Sequence, residues 1–313
     1  MDGLPLISIC IPAFERTPYL KRLLDSIEIQ SFRDFEIVIT DDSPGREVQT
    51  LAAEHVLNPC IRYFKNLQTL GSPENWNESI RKSRGPWIKI MHDDDWFRES
   101  DSLKIFAEAT QTARSSFYFS GYTNVFTSGA EQEIKINRFQ LDRIKKNPEI
   151  LLAANRIGPP SVVIFKRDEA VQFDPRLQWL VDIDFYIRYL KKNPSAEWIE
   201  ANLVRIGISV SQVTQRSFGK PTIEIPERFL LNEKLDPQSS KYLPIFDSWW
   251  RFIRNLSIKD LAQINGSGYT GNIPPFVAAM IKTQTRIPEI LLKNGFSSKF
   301  FMFLHYLRTK GPS

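Results

Sequence analysis

Cysteine is scarce in this chain: its 313 residues hold two, Cys10 and Cys60. Neither sits at metal-ligand spacing, and two cysteines make no disulfide framework, which excludes a stapled extracellular scaffold and fits a reducing cytosol. Residues 1–5 lack a basic segment followed by an apolar run, so no signal peptide is expected and the protein is expected to be cytoplasmic. Residues 261–281 carry no charge, yet Asn265, Gly266, Gly268, Gly271, Pro274 and Pro275 fall among them, a set that a membrane-spanning helix does not tolerate. Strong charge of one sign is absent too. The formal net charge is +5 with dispersed basic residues, and there is no interleaved aromatic and basic groove, so no nucleic acid partner is expected.

What is present points to an α/β architecture. The length suffices for a sizeable core and suggests one main unit with an appendage. Residues 6–11 read as a buried strand ended by Pro12, after which Thr17 looks like an N-cap with Pro18 at the first helical position. Leu20, Leu23, Leu24 and Ile27 then recur at helical spacing. Further strands are predicted at 35–40, 61–64 and 87–91, with a helix opened by Ser72 and Pro73 and its end marked by Gly85. Strands alternating with helices imply a central, mostly parallel sheet flanked by helices. Beyond Ser116 the pattern is mixed, with strands at 116–119, 161–166 and 198–208 and a helix from about Val181 to Lys192. After Arg216 the alternation stops, so a boundary near Phe218 divides residues 1–217 from a helical extension, 218–313.

Acidic residues gather where open sheets bind ligands, at the carboxyl ends of strands. His92, Asp93, Asp94, Asp95 and Trp96 follow the fourth strand directly. Adjacent carboxylates repel one another unless a cation or solvent neutralises them. Magnesium or manganese (Mg2+ or Mn2+) suits such a cluster, because these ions bind through one or two carboxylates plus substrate phosphates. The competing reading is an acidic turn capping the next helix. Asp41 and Asp42 end the second strand, where a carboxylate could accept from a base N–H or a ribose hydroxyl, or could simply bond its own turn. Asp182 stands near a helix start and Asp184 two residues on, pointing to a different face. A carboxylate at that place can also serve only the helix dipole.

Taken in order, these motifs resemble the second family of inverting glycosyltransferases, whose nucleotide-sugar-binding fold is of the A type, over residues 4–214. Ile7-Ser8-Ile9-Cys10-Ile11-Pro12-Ala13-Phe14-Glu15 is similar to the family's opening strand. The resemblance implies that Pro12, Ala13, Phe14 and Glu15 wrap the nucleotide and that Asp41 contacts the base. Asn66, Gly71 and residues 75–85 resemble the segment before the metal motif, with Arg81 as a phosphate neighbour. Residues 91–96 resemble the Asp-x-Asp region, which implies Asp94 as metal ligand and Asp93 at the ribose or a second metal contact. His92 replaces the first Asp of the commonest pattern, leaving His92 and Asp93 as alternative ribose contacts. Gly158-Pro159-Pro160-Ser161 resembles an acceptor-side turn, and residues 182–188 the helix with the general base, implying Asp182. Relatives carry a diphosphate-reaching histidine near residues 209–214, where this chain has Ser209 and Ser211.

The implied reaction is a single displacement by an acceptor hydroxyl on a nucleotide diphosphate sugar, with a uridine diphosphate sugar as the default donor. A saccharide acceptor, lipid-linked in polysaccharide or O-antigen assembly, follows from the same resemblance. Dinucleotide oxidoreductases and nucleotidyltransferases are opposed by the Pro-Ala-Phe-Glu turn, which lacks their glycine-rich phosphate loop. A catalytically silent nucleotide- or sugar-binding module of the same fold is the remaining rival. Near the C-terminus, Phe246, Trp249, Trp250, Phe252 and Ile253 read as core or acceptor groove. Residues 297–310 combine aromatics with Lys299, Arg308 and Lys310, either docking on the core or lying on an anionic membrane surface.

Overall fold

The computed structural model describes residues 3–112, 114–209 and 219–309. One nine-stranded sheet organises the chain. Its first half is parallel: β1 (Ile7–Ala13) lies between β2 (Phe35–Asp41) and β4 (Trp87–Ile90), with β3 (Ile61–Lys65) outside β2. Side chains of β1, β2 and β4 are buried on both faces almost throughout, as expected for strands covered by helices on both sides. The covering helices in this half are α1 (Thr17–Glu28), α2 (Glu47–Glu54) and α3 (Glu74–Lys82).

The second half turns mixed. Beyond β4 lies β8 (Val163–Lys166), antiparallel to it, then β6 (Phe117–Phe126), β9 (Glu197–Ile208) and β5 (Asp95–Phe97), with β7 (Glu131–Ile134) pairing with β6. β9 runs parallel to β6 and antiparallel to β5. α4 (Ser102–Gln111), α5 (Arg138–Lys146) and α6 (Val181–Lys192) complete this half.

Local departures from the sequence expectations have physical reasons. β1 continues through Pro12 to Ala13, because pairing with β4 ends at Cys10 and Ile90 while the register with β2 continues to Ala13 and Asp41. A proline is tolerated where one side of the strand has lost its partner. The N-cap of α1 is Arg16 and not Thr17, with Thr17 already helical. A short strand, β5, follows the acidic motif immediately, so the motif lies between two strands and does not cap a helix.

From residue 219 onward the described chain is helical: α7 (Pro221–Glu233), α8 (Leu243–Asn255), α9 (Leu261–Gly266), α10 (Pro275–Gln284), α11 (Glu289–Lys293) and α12 (Gly295–Thr309). Phe246, Trp249, Trp250, Phe252 and Ile253 are all buried in the same core as the sheet, which makes them packing residues. Residues 210–218, and with them the boundary at Phe218 and the segment from Ser211 to Thr214, lie outside the described residues. Among the described residues no helix is long and apolar enough to cross a membrane.

Candidate active site

β4 delivers the acidic motif to the carboxyl edge of the sheet, and the chain turns at once into β5. Asp93, Asp94 and Asp95 are 3%, 8% and 2% exposed, so this is a buried acidic turn and not a solvated one. One ligand atom each of His92, Asp94 and Asp95 lie within 4.8 Å of one another. Among the described residues, Asp95 Oδ1 and His92 Nε2 are buried without a hydrogen-bond partner. Orphaned acceptors of this kind cost free energy that a bound cation would recover. The donor set therefore fits a divalent ion with one imidazole and two carboxylates, and Asp95 joins Asp94 as a ligand candidate.

Burial sets the electrostatics of this turn. It pushes the Asp93 carboxyl up to about 7, even against the Arg16 guanidinium beside it. It raises Asp95 well above the carboxylate range, reinforced by the charge of Asp94. His92 is lowered to about 4 by burial, so its imidazole is neutral at pH 7 and able to offer a lone pair. Its ring packs 4.7 Å from that of Trp76, and its backbone N–H donates to Ser161 Oγ at 3.0 Å. Lys89, fully buried and lowered to about 7 by desolvation, donates to the Ser161 carbonyl and so fixes the residue that braces His92.

Two arginines of the first strand-to-helix unit face the same turn. Arg16 grips Asp93 through Nε at 3.0 Å to Oδ2 and through Nη2 to Oδ1, while its Nη1 reaches Asp94 Oδ2 at 3.4 Å. Arg22 donates to the Asp94 carbonyl at 2.8 Å and lies 3.6 Å over the Trp96 ring. Glu15 and Arg16 both hold left-handed backbone, φ 56 and 45. Non-glycine residues there cost about 1–2 kcal/mol each, which the fork on Asp93 helps to offset. No motif in the sequence marks Arg16, since its role depends on that unusual backbone.

Of the other residues of the proposed donor side, Pro12, Ala13, Phe14, Glu15, Asp41 and Asp42 are at or just past the ends of β1 and β2 at the carboxyl edge, whereas Arg81 is in the last turn of α3, next to residues 84–85 that bond Glu36 and Ser8 at the opposite ends of those strands. Ala13 is buried and its carbonyl accepts from Asp42 N, whereas Phe14 and Glu15 are exposed and Pro12 is partly so. Asp41 is wholly enclosed: its carboxylate accepts from Tyr63 Oη at 2.6 Å, Lys65 Nζ at 3.0 Å and Ser43 N at 2.8 Å. Burial acts to raise its pKa, but these donors outweigh it and hold the group below the usual range. A base N–H could reach Asp41 only by displacing one of them. Asp42 instead shapes the loop above, accepting from Asn66 Nδ2, Leu70 N and Gly71 N at 2.7, 3.1 and 2.8 Å. Arg81 is engaged on its own helix by Glu74 and Glu78, each at 2.7 Å.

Asp182 stands in the first turn of α6. Asn155 Nδ2 donates to its Oδ2 at 2.7 Å and Ile183 N to its Oδ1 at 2.8 Å. Burial beside Tyr122 and Tyr186 pushes its carboxyl up to about 7. Asn155 also donates to the Gly158 carbonyl, which accepts from Tyr186 Oη as well, both at 3.1 Å. Residues 155–161 thus brace Asp182 at one end and His92 at the other. Asp184 has a different environment: fully buried, it takes Arg188 at 2.5 Å and Lys234, at the C-cap of α7, at 2.6 Å, an ion cluster tying α6 to the C-terminal helices.

Comparison with known proteins gives concordant matches. The profile described as Glycosyl transferase family 2 matches residues 8–167. An uncharacterised protein of Mycobacterium tuberculosis is 29% identical over 210 residues, 60% of this chain and 63% of its own length. A GalNAc(5)-diNAcBac-PP-undecaprenol beta-1,3-glucosyltransferase of Campylobacter jejuni is 30% identical over 97 residues, 29% of this chain and 30% of its own. Among solved structures, S. aureus TarS 1-349 in complex with UDP-GlcNAc superposes with TM-score 0.65 at 16% identity, covering 96% of this chain and 89% of that one. Mannosyltransferase PcManGT of Pyrobaculum calidifontis, in complex with GDP-Man and Mn2+, gives 0.55 at 15% identity, covering 98% and 86%.

The two acids of α6 differ in what their loss should do to the fold. Asp184→Asn is expected to lower unfolding free energy in urea by about 3 kcal/mol, because Lys234 and Arg188 lose a buried counter-charge. Asp182→Asn should leave it unchanged or slightly higher, since it removes a desolvated carboxylate that has no cationic partner among its hydrogen bonds. Equal losses in the two variants would contradict this division.

Proposed function

Since the chain belongs to glycosyl transferase family 2 and has its A-type fold, we propose that it is an inverting transferase. It moves a sugar from a nucleoside diphosphate sugar, a UDP-sugar in the first instance, to an acceptor hydroxyl. What supports this reading is the segment 155–161, whose Asn155 bonds a carboxylate of raised pKa and whose Ser161 bonds His92 beside the buried acidic cluster.

Loop residues Pro12, Ala13, Phe14 and Glu15 and the enclosed Asp41 would form the nucleoside side, with His92 or Asp93 toward the ribose. Arg81, in the last turn of α3 and paired with two glutamates, is kept as a phosphate neighbour on the family resemblance alone. A magnesium or manganese ion held by His92, Asp94 and Asp95 would supply positive charge against the departing diphosphate. Asp182 takes the proton of the acceptor hydroxyl as its oxygen attacks the anomeric carbon, and the bond from that carbon to the diphosphate breaks on the opposite face. Asn155 and Ile183 N hold the carboxylate in place, and orientation of this kind contributes as much as basicity. A carboxyl titrating near neutrality is a stronger base than an ordinary one and is still ionised above pH 7.

For the acceptor, a lipid-linked saccharide is favoured by the undecaprenol-linked substrate in the name of the Campylobacter relative and by α12. One face of α12, with Ser298, Met302, His305 and Tyr306, docks on the core. The opposite face exposes Phe296, Phe300, Phe303 and Leu307. Within residues 282–308, Lys282, Arg286, Lys293, Lys299 and Arg308 are exposed against the single acid Glu289. A docked helix with a basic-rimmed aromatic face suits an anionic membrane surface, on which the protein would sit peripherally.

Two experiments test these readings. With donor and acceptor saturating, the rate should climb as pH rises through about 7, where Asp182 loses its proton, and then level. Asp182→Asn should cut kcat by about a hundredfold to ten-thousandfold, and the product's anomeric configuration, read by NMR, should be opposite to the donor's. A flat profile, a fully active variant or retained configuration would contradict the mechanism. In flotation with phosphatidylglycerol vesicles the native chain should rise with lipid, and the Phe296→Ser, Phe300→Ser, Leu307→Ser triple variant should remain below. A native chain left in solution would refute the membrane reading.

A further inference from the structure

Arg16 is shared between two demands that cannot both be met in one state. Its fork on Asp93 is two-pointed and close, whereas its hold on Asp94 is a single longer contact of 3.4 Å. Asp94 is at the same time a member of the His92, Asp94, Asp95 donor set. Arg22 fixes the Asp94 backbone through the carbonyl at 2.8 Å, so the choice between partners is left to the side chain. The Arg16 side chain is 39% exposed, so it is not sealed off from a ligand. Lastly, the left-handed backbone at Glu15 and Arg16 aims this side chain at the acidic turn from the loop assigned to the nucleotide.

We infer that Arg16 competes with the divalent cation for Asp94 and, on losing it, keeps its fork on Asp93 and presents the freed Nη1 to the donor's diphosphate. The inference rests on the transferase reading for the identity of the anion. It gives one residue opposite effects on two ligands: Arg16 weakens the binding of cation alone and strengthens the binding of nucleotide with cation. A planar guanidinium suits both roles, since it binds carboxylate and phosphate through the same parallel donors. The arrangement would also make cation and donor enter together, because the cation that claims Asp94 frees the Nη1 that the diphosphate needs.

The test measures binding directly. Manganese is titrated alone, read as loss of the free-ion EPR signal, and UDP and GDP are then titrated by calorimetry at saturating manganese. Arg16→Gln should bind manganese alone about tenfold tighter and the preferred nucleotide about tenfold weaker than the native chain, the size of one charge-assisted contact. Arg16→Lys, which keeps the charge without the fork, should fall between in both titrations and guards against a folding defect in the first variant. A residue that merely supports the loop would weaken both ligands together, and that outcome overturns the inference. So does an unchanged manganese affinity. If the native chain and both variants bind neither manganese nor nucleotide, the transferase reading fails and the inference falls with it.

Discussion

Three consecutive carboxylates withdrawn from water cannot all remain charged unless cations face them, and the architecture of this edge follows from that constraint. Asp93, Asp94 and Asp95 are nearly inaccessible, and repulsion between neighbouring acids grows as solvent is excluded. The fold answers from several directions. Arg16 forks onto Asp93, Arg22 takes the carbonyl of Asp94, and Lys89 lies buried beneath, holding Ser161. What remains is an incompletely satisfied set, with Asp95 Oδ1 and His92 Nε2 lacking partners among the described residues. A site that stores unmet electrostatic demand in this way is prepared for a cation and for the anion that accompanies it.

The sheet supplies the positions. β4 ends and β5 begins with Asp95, so the acids occupy the gap between two strands, and both flanks of the turn are pinned by pairing. Gly207 on β9 permits the close approach: a Cβ there would lie 2.5 Å from the Asp94 carbonyl oxygen. On the far side, residues 155–161 carry the constraint to Asp182 through Asn155 and Gly158. The proposed chemistry, with a base opposite a leaving group, requires such a fixed span, and here a short stretch of coil ending in a single 3-10 turn, Pro160–Val162, provides it.

Much of this was legible before any coordinates. Apolar runs bounded by acids located β2 and β4, because a strand buried on both faces must be apolar and the ligand edge must be polar. The helix from Val181 to Lys192 followed from its spacing. Other features depend on tertiary context that local patterns do not encode. β5 is three residues long and exists only because β9 pairs with it. Arg16 looks like an ordinary residue before a helix until its positive φ turns it onto Asp93. Asp41 and Asp42 are indistinguishable in sequence, yet the first is enclosed by Tyr63 and Lys65 and the second holds the loop at Leu70 and Gly71. The exposed stripe on α12 shows why its sequence admitted two readings, since one face docks and the other does not.

The account stands or falls on whether the acidic edge binds a nucleotide through a cation. Thermal unfolding of the native chain and of Asp94→Ala, each with UDP, GDP or TDP in the presence and absence of manganese, addresses this directly. A ligand at a hundred times its dissociation constant stabilises by about 2.7 kcal/mol, which a melting curve resolves. The account predicts that one nucleotide raises the native melting temperature only with manganese, and that Asp94→Ala loses the shift. No shift with any nucleotide under either condition, or an equal shift in Asp94→Ala, would contradict it.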